Sequence, residues 1–435
     1  MTPGARAAAA IEVLEIFQDT AAPIDRLLKE WSRRSRFAGA KDRANVAGRV
    51  YAVLRRRSEC AFAMDDDSPR ALVLGSLKII DGLSLDDVAA LFSGEGYAPA
   101  ALTAQERAAL CAEDRAPDHD VRLNWPMWLA EKVKPLFEAD FDPEIAALNA
   151  RAPLDLRVNT LARSRQQAYV ALKAAGVKAE LTAASPMGLR VPAVSDTVRP
   201  VNLQRLKPYV EGWVDVQDEG SQIVSLLAAA APGEQVADLC AGGGGKTLAL
   251  AAEMKNSGQI YACDINQKRL MAGRPRAQRA GVTNVQYRLL KNWFEGDGRP
   301  DPSFEDIGET VDLVFLDAPC SGSGAWRRQP DAKWRLTRQM IDGYKALQRN
   351  VLERGARLVR PGGRLVYVTC SLFPEENEDQ AFEFLSRHAD FEKVELSWDA
   401  LDGPEKWRHT GIGKQLSPGL TGTDGFYAAM FRRKR

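Results

Sequence analysis

Five short apolar segments in the second half of the chain, EQVADLCA, GQIYACDI, NVQYRLL, VDLVFLDA and GRLVYVT, alternate with helical stretches such as KTLALAAEM, NQKRLMAGRPRAQRAG and MIDGYKALQRNVLERGARLV. Near-continuous apolar runs of this length suit strands buried on both faces, and strands joined by crossover helices pair in parallel. The alternation predicts an α/β domain with a Rossmann-like, doubly wound, mostly parallel sheet over residues 211–435. The tail, from PEENEDQAFEFLSRHADF to DGFYAAMFRRKR, supplies a further helix and a last hairpin expected to close the sheet edge.

Two other textures precede this domain. Over residues 1–145 apolar positions recur at three- and four-residue spacing, in AAAAIEVLEIF, NVAGRVYAVL and PRALVLGSLKIIDGL, which predicts an all-helical domain. Over residues 146–210 the segments LDLRVNT, SRQQAYVALKAAG, KAELTA and GLRVPA read as strand, helix, strand and strand, a small α+β accessory module.

The loop between the first strand of the α/β domain and its helix, AGGGGKT, lets a backbone approach a ligand closely. A phosphate-binding P-loop is disfavoured, because that motif needs glycine at position 240, where this chain has Cys240. Asp264, at the end of the next strand, lies twenty residues past Gly244, the spacing at which a carboxylate binds the ribose hydroxyls of an adenosine-containing cofactor. Cys240, Ala241, Gly242, Gly243, Gly244, Gly245, Lys246 and Asp264 therefore form the expected cofactor cradle, a pattern shared by dinucleotide and S-adenosylmethionine enzymes. Two later thiols bear on that choice. Cys320 in DAPCSGSG and Cys370 in VTCSLFPEEN both follow apolar strands, at the carboxyl edge where open α/β sheets bind ligands. Either alone reads as a buried inert thiol; together they suit a reaction that adds one sulfur to carbon 6 of a cytosine and then eliminates it.

Through PLDLRVNTLARSR, QDEGSQ, DLCAGGGGKT, DAPCSGSGAWRRQPDAKW, VTCS followed by PEENE, and DGFYAAMFRRK, residues 150 to 435 resemble the Nop/Sun, or RsmB-type, RNA cytosine-5 methyltransferases. The resemblance implies a class I methyltransferase fold, S-adenosyl-L-methionine as cofactor, Cys370 as nucleophile, Cys320 as the residue that assists product release, and Asp317 with Lys246 holding the polar edge of the flipped base. The loop departs from the family's usual AAPGGKT, with Gly242 and Gly243 in place of alanine and proline. Asn292, in RLLKNWFEGDG, stands near where relatives carry an aspartate against the adenosine.

The helical N-terminus is similar to the antitermination factor NusB, which tilts the expected substrate to 16S ribosomal RNA over transfer RNA. An unpaired or extruded base is required, since a stacked duplex hides carbon 6. Trp326, Arg327, Arg328 and Lys333 in GAWRRQPDAKWR interleave aromatics with cations, as stacking and phosphate contacts require, and Arg157, Asn159, Arg163 and Arg165 in LRVNTLARSR resemble the family's accessory RNA-binding module. A DNA cytosine-5 methyltransferase is disfavoured by the second thiol; a non-catalytic ribosome-assembly factor is the reading from another class.

Net charge is only +1, but residues 1 to 57 carry twelve Lys or Arg against six Asp or Glu, and residues 58 to 120 carry four against thirteen, so basic surface concentrates in the first helices. Six cysteines without a CxxC pair, and three histidines, predict neither disulfides nor a metal site. No apolar run is long enough to span a bilayer, and Glu12 and Glu15 interrupt the segment where a signal peptide would continue. A cytoplasmic, monomeric protein is expected.

Overall fold

A computed structural model describes residues 1–112, 115–194, 201–291, 302–304, 306–403 and 405–435. The chain forms two compact units, one of residues 1–151, 194–200 and 326–336, the other of residues 152–193, 201–325 and 337–435.

The first unit is helical, and its sequence caps its own helices. Thr2 accepts from the Ala5 amide at the start of Pro3–Thr20, and Ser68 accepts from Ala71 at the start of Pro69–Ile79, each with proline at the first turn. Reciprocal capping boxes open Leu85–Leu91 (Ser84 with Asp87) and Ala104–Cys111 (Thr103 with Glu106). The apolar positions read from the sequence, including Val13, Leu14, Phe17, Val50, Val53, Leu72 and Val73, make one core. No described helix is long and apolar enough to cross a membrane.

The second unit holds two sheets. The smaller has the order β2 (Glu180–Leu181), β3 (Gly188–Val191), β1 (Leu154–Val158), β4 (Val214–Val216), with every pairing antiparallel. The fourth strand, VDV, lies beyond residue 210, where the sequence pattern placed the end of this module; three residues are too few for an alternation to register.

The larger sheet is the doubly wound one. Strands β5 (Gln235–Asp238), β6 (Gln259–Asp264), β7 (Val285–Leu289), β8 (Val311–Asp317) and β9 (Val359–Thr369) are parallel in the order β9-β8-β5-β6-β7. Alternate residues serve opposite faces: Leu365 and Tyr367 of β9 enter one apolar cluster, Val366 and Val368 the other. Burial on both sides explains why β8 and the second half of β9 read as unbroken apolar runs, while β7, at the sheet edge, is half-buried to exposed. The chain ends differ from a closing hairpin. After β10 (Phe391–Val394), β11 (Arg408–His409) and β12 (Lys414–Gln415), strand β13 (Tyr427–Arg433) inserts antiparallel between β9 and β12, and β10 also pairs with β13. The run Tyr427–Phe431 is buried throughout, as an interior strand must be.

Candidate active site

The order of the parallel strands decides which side chains can meet. Strand β5 lies between β6 and β8, and β8 pairs with β9, so the carboxyl ends of β5, β6, β8 and β9 share one edge. The glycine loop leaves β5 there. Its backbone is tied to β6 by Ala241 N–H to the Cys263 carbonyl at 2.9 Å, and it turns through Gly244 N–H to the Ala241 carbonyl at 2.8 Å. Gly242 and Gly244 sit at φ of +53° and +79°, the left-handed region that glycine enters without strain. Gly244 then caps the helix Gly245–Glu253, whose first turn carries Lys246 and Thr247.

Asp264 is 6% exposed at the end of β6. One carboxylate oxygen accepts from Gly242 N–H at 2.9 Å and the other from Asn266 N–H at 2.7 Å, which locks the acid beside the loop. A carboxylate oxygen has room for a second donor, so a glycine-lined cradle with this fixed acid fits a ligand that presents a ribose diol. Asn292 lies outside the described residues.

Beneath the loop, Asp238 is fully buried; one of its oxygens accepts from the Thr247 hydroxyl at 2.6 Å and the other has no partner among the described residues. Burial pushes this carboxyl up to about 7. Lys246 spans to β8, donating to Asp317 at 2.7 Å. Burial pulls the ammonium down, but the Asp317 charge and hydrogen bond outweigh it and hold Lys246 above its ordinary range. That contact favours the charged form of Lys246.

Cys320 follows β8 and Cys370 follows β9, and their sulfurs are 3.5 Å apart across 50 residues of sequence. The hydrogen bond shared with Cys370, then burial, push the Cys320 thiol well above its usual value. Close passage of the backbone confines the pair. Gly324 N–H donates to the Cys370 carbonyl at 2.9 Å, and a Cβ on Gly324 would sit 2.0 Å from the Gly425 carbonyl oxygen. Only glycine fits at that crossing.

The side chains singled out as RNA contacts fare unevenly. Trp326, Arg327 and Lys333 belong to the helical unit and are 2%, 5% and 2% exposed. Trp326 packs on Trp125 at 4.8 Å between ring centroids, and Lys333 donates to Asn149 at 2.8 Å. The alternation of tryptophan with cations therefore anchors a segment in a core, and the open stacking platform read from it is corrected: neither ring nor ammonium is available to a nucleotide. Arg328 is half-buried. In the small sheet, Arg157 is 2% exposed and bonds Gln217 at 2.6 Å, while Asn159 ties two backbone carbonyls, of Gly212 and Ala280. Both are internal, and the RNA-contact reading is corrected for them too. Arg165 is held by the Gly188 and Thr182 carbonyls and by Asp402. Arg163 is exposed, with its guanidinium 4.5 Å from the centre of the Trp213 ring.

Sequence reasoning gave no role to Glu376, which lies in the PEENE segment and accepts from the residues that follow both cysteines. Its only sequence signal was a carboxylate six residues past Cys370, which any surface loop could carry.

Comparison with known proteins gives the family. The profile of the 16S rRNA methyltransferase RsmB/F family matches residues 225–432, and that of an RsmF/B-like methyltransferase ferredoxin-like domain matches residues 125–196. A probable ribosomal RNA small subunit methyltransferase B from Synechocystis is 34% identical over 313 residues, 72% of this chain and 67% of that protein. The ribosomal RNA small subunit methyltransferase B of Serratia proteamaculans is 34% identical over 315 residues, 72% of this chain and 68% of that protein. Among solved structures, a methyltransferase homolog protein from Pyrococcus horikoshii superposes with a TM-score of 0.58 at 28% identity, covering 72% of this chain and 97% of that one. The solved protein PH0851 does so with a TM-score of 0.76 at 26% identity over 100% of this chain and 99% of that one. The glycine loop, the acid at the end of β6 and the paired thiols stand inside the matched region, and the chain belongs to the RsmB-type, or Sun, family of methyltransferases.

Proposed function

We propose that this protein transfers a methyl group from S-adenosyl-L-methionine to carbon 5 of a cytosine in 16S ribosomal RNA, through a covalent bond between Cys370 and the base. The observation that carries the reading is the 3.5 Å approach of the Cys320 and Cys370 sulfurs at the ends of adjacent strands. A second support is the naming of the relatives as ribosomal RNA small subunit methyltransferases.

The cradle of residues 240–246 and Asp264 would hold the cofactor, which when bound supplies an electrophilic methyl group. The chain's own residues do the rest. Carbon 5 of cytosine is a weak nucleophile, so the Cys370 sulfur adds to carbon 6 and makes carbon 5 electron-rich. Lys246, held by Asp317, donates to the polar edge of the base and draws electrons from the ring, which makes carbon 6 more electrophilic, while the Asp317 carboxylate accepts from the base amino group and orients it. Cys320 keeps its proton at this stage, since the contact with the Cys370 sulfur and burial both favour its neutral thiol. Once the Cys370 sulfur is bonded to carbon it carries no charge beside Cys320, and Cys320 is the thiol left to serve as base. Cys320 gives its proton to solvent, its thiolate takes the carbon 5 proton, the electrons of that C–H bond re-form the ring double bond, and the bond from carbon 6 to the Cys370 sulfur breaks to release the thiolate. The helical unit, similar to NusB, and the four-stranded sheet, where Arg163 is exposed, are the surfaces proposed to hold the RNA.

Incubation of unmodified 16S ribosomal RNA with labelled methyl donor tests the reading. Label recovered as 5-methylcytosine supports it. An assembly factor that binds RNA and transfers nothing, or label entering transfer RNA alone, replaces it.

A further inference from the structure

Each reactive cysteine stands just beyond the hydrogen-bonded ladder of its strand. The β8–β9 pairing ends at Asp317 against Val368, with one further bond from Ala318 N–H to the Val368 carbonyl at 2.8 Å. The sulfurs are therefore carried by loops, and something else must fix their separation.

A single buried carboxylate reaches both loops. Glu376 is fully buried, and one oxygen accepts from Ser321 N–H at 2.9 Å and Gln348 Nε2 at 3.1 Å. The other accepts from the Ser321 hydroxyl and the Ser371 hydroxyl, each at 2.5 Å. Ser321 directly follows Cys320, and Ser371 directly follows Cys370. Gln348 also donates to the Pro319 carbonyl at 2.9 Å, so the Cys320 peptide is held on both sides. Asn377, the next residue, donates to the Ser371 carbonyl at 2.8 Å. Four donors from three residues converge on this one buried carboxylate, which points to a role in specifying geometry.

We propose that Glu376 is a positioning residue that sets the distance between the Cys320 and Cys370 sulfurs for both halves of the reaction. This rests on the cytosine-5 reading above. The chemistry demands two sulfurs directed at neighbouring ring carbons of one base, and a displacement of about 1 Å costs on the order of 100-fold in rate. Glu376 touches neither sulfur; it acts through Ser321 and Ser371.

The test is Glu376→Gln, which keeps the shape of the side chain and removes the charge, with Ser321→Ala and Ser371→Ala each deleting one leg of the bridge. Thermal melting of all three identifies folded variants. The sulfur spacing is read without turnover, by titrating the purified full chain in a glutathione redox buffer and quantifying the peptide linked through Cys320 and Cys370. In that exchange oxidised glutathione is reduced to two thiols while the two protein thiols form one disulfide, so the equilibrium measures proximity. Glu376→Gln is expected to shift this equilibrium against the disulfide by about tenfold or more, and to lower kcat by about 10- to 100-fold, with the KM for RNA and the affinity for methyl donor changed by less than about twofold. Folded variants with the wild-type equilibrium and wild-type kcat would overturn the proposal, as would a parallel loss of donor affinity, RNA affinity and kcat. If Glu376→Gln shifts the equilibrium but the wild-type protein methylates no cytosine, the positioning of the sulfurs stands and the cytosine-5 reading falls.

Discussion

Lys246 opens a helix behind the glycine loop and Asp317 closes β8, yet the lysine Nζ lies 2.7 Å from the carboxylate of a residue 71 positions later. The ion pair joins the cofactor loop to the strand that leads to Cys320. Replacing one partner strands the other in a partly buried site. Under the proposed mechanism, Lys246→Met is expected to lower kcat by about 100-fold, the cost of losing one preorganised donor, while the KM for RNA moves far less. Steady-state kinetics on both variables checks this, and a raised KM with intact kcat would confine Lys246 to binding.

Asp264→Ala removes the carboxylate that pins Gly242 and Asn266. Methyl-donor affinity is expected to fall by about tenfold or more, the equivalent of one or two hydrogen bonds to a charged group, with RNA affinity essentially unchanged. Calorimetry of each ligand decides it, and equal donor affinity would remove Asp264 from the ribose.

Asp238 makes stability depend on pH. Its carboxyl stands at about 7 in the folded chain because burial disfavours the charge, against an ordinary 3.8. The folded state therefore binds this proton more tightly than the unfolded state, and the group's contribution is lost as pH rises from about 4 to about 7, at about 1.4 kcal/mol per pH unit. Asp238→Asn cannot ionise. Urea melts across that window should show the wild type losing stability relative to Asp238→Asn as pH rises; parallel curves would refute the assignment.

Trp326→Ala is expected to act on folding. The ring is 2% exposed against Trp125, and truncating a buried tryptophan costs about 3 to 5 kcal/mol. A denaturant melt that shows this loss supports the core role. Wild-type stability with weakened RNA binding would restore the stacking role.

The sequence announced the parallel sheet because its inner strands, buried on both faces, read as near-continuous apolar runs, a signal that neighbouring residues suffice to carry. It announced the loop, Asp264 and the thiols because their chemistry is tied to strand ends. What it did not announce depends on partners remote in the chain. Trp326 and Lys333 look like a nucleic-acid loop until Trp125 and Asn149, some 200 residues earlier, are brought against them. Arg157 looks like a phosphate contact until Gln217 closes over it. Glu376 is one glutamate in an acidic segment until Ser321 and Ser371 converge on it, and β4 is three residues that acquire meaning only by pairing with β1.

The two sulfurs offer the sharpest measurement. In Cys320→Ala the Cys370 sulfur can still add to the base and the methyl group can still be transferred, but no thiol remains to take the carbon 5 proton and release the product. Incubated with 16S ribosomal RNA and methyl donor, then run on a denaturing gel, Cys320→Ala should give a shifted band of protein bonded to RNA, and Cys370→Ala should give none. A shifted band for Cys370→Ala with none for Cys320→Ala would exchange the two roles, and no band from either, with methylation intact in the wild type, would remove the covalent intermediate.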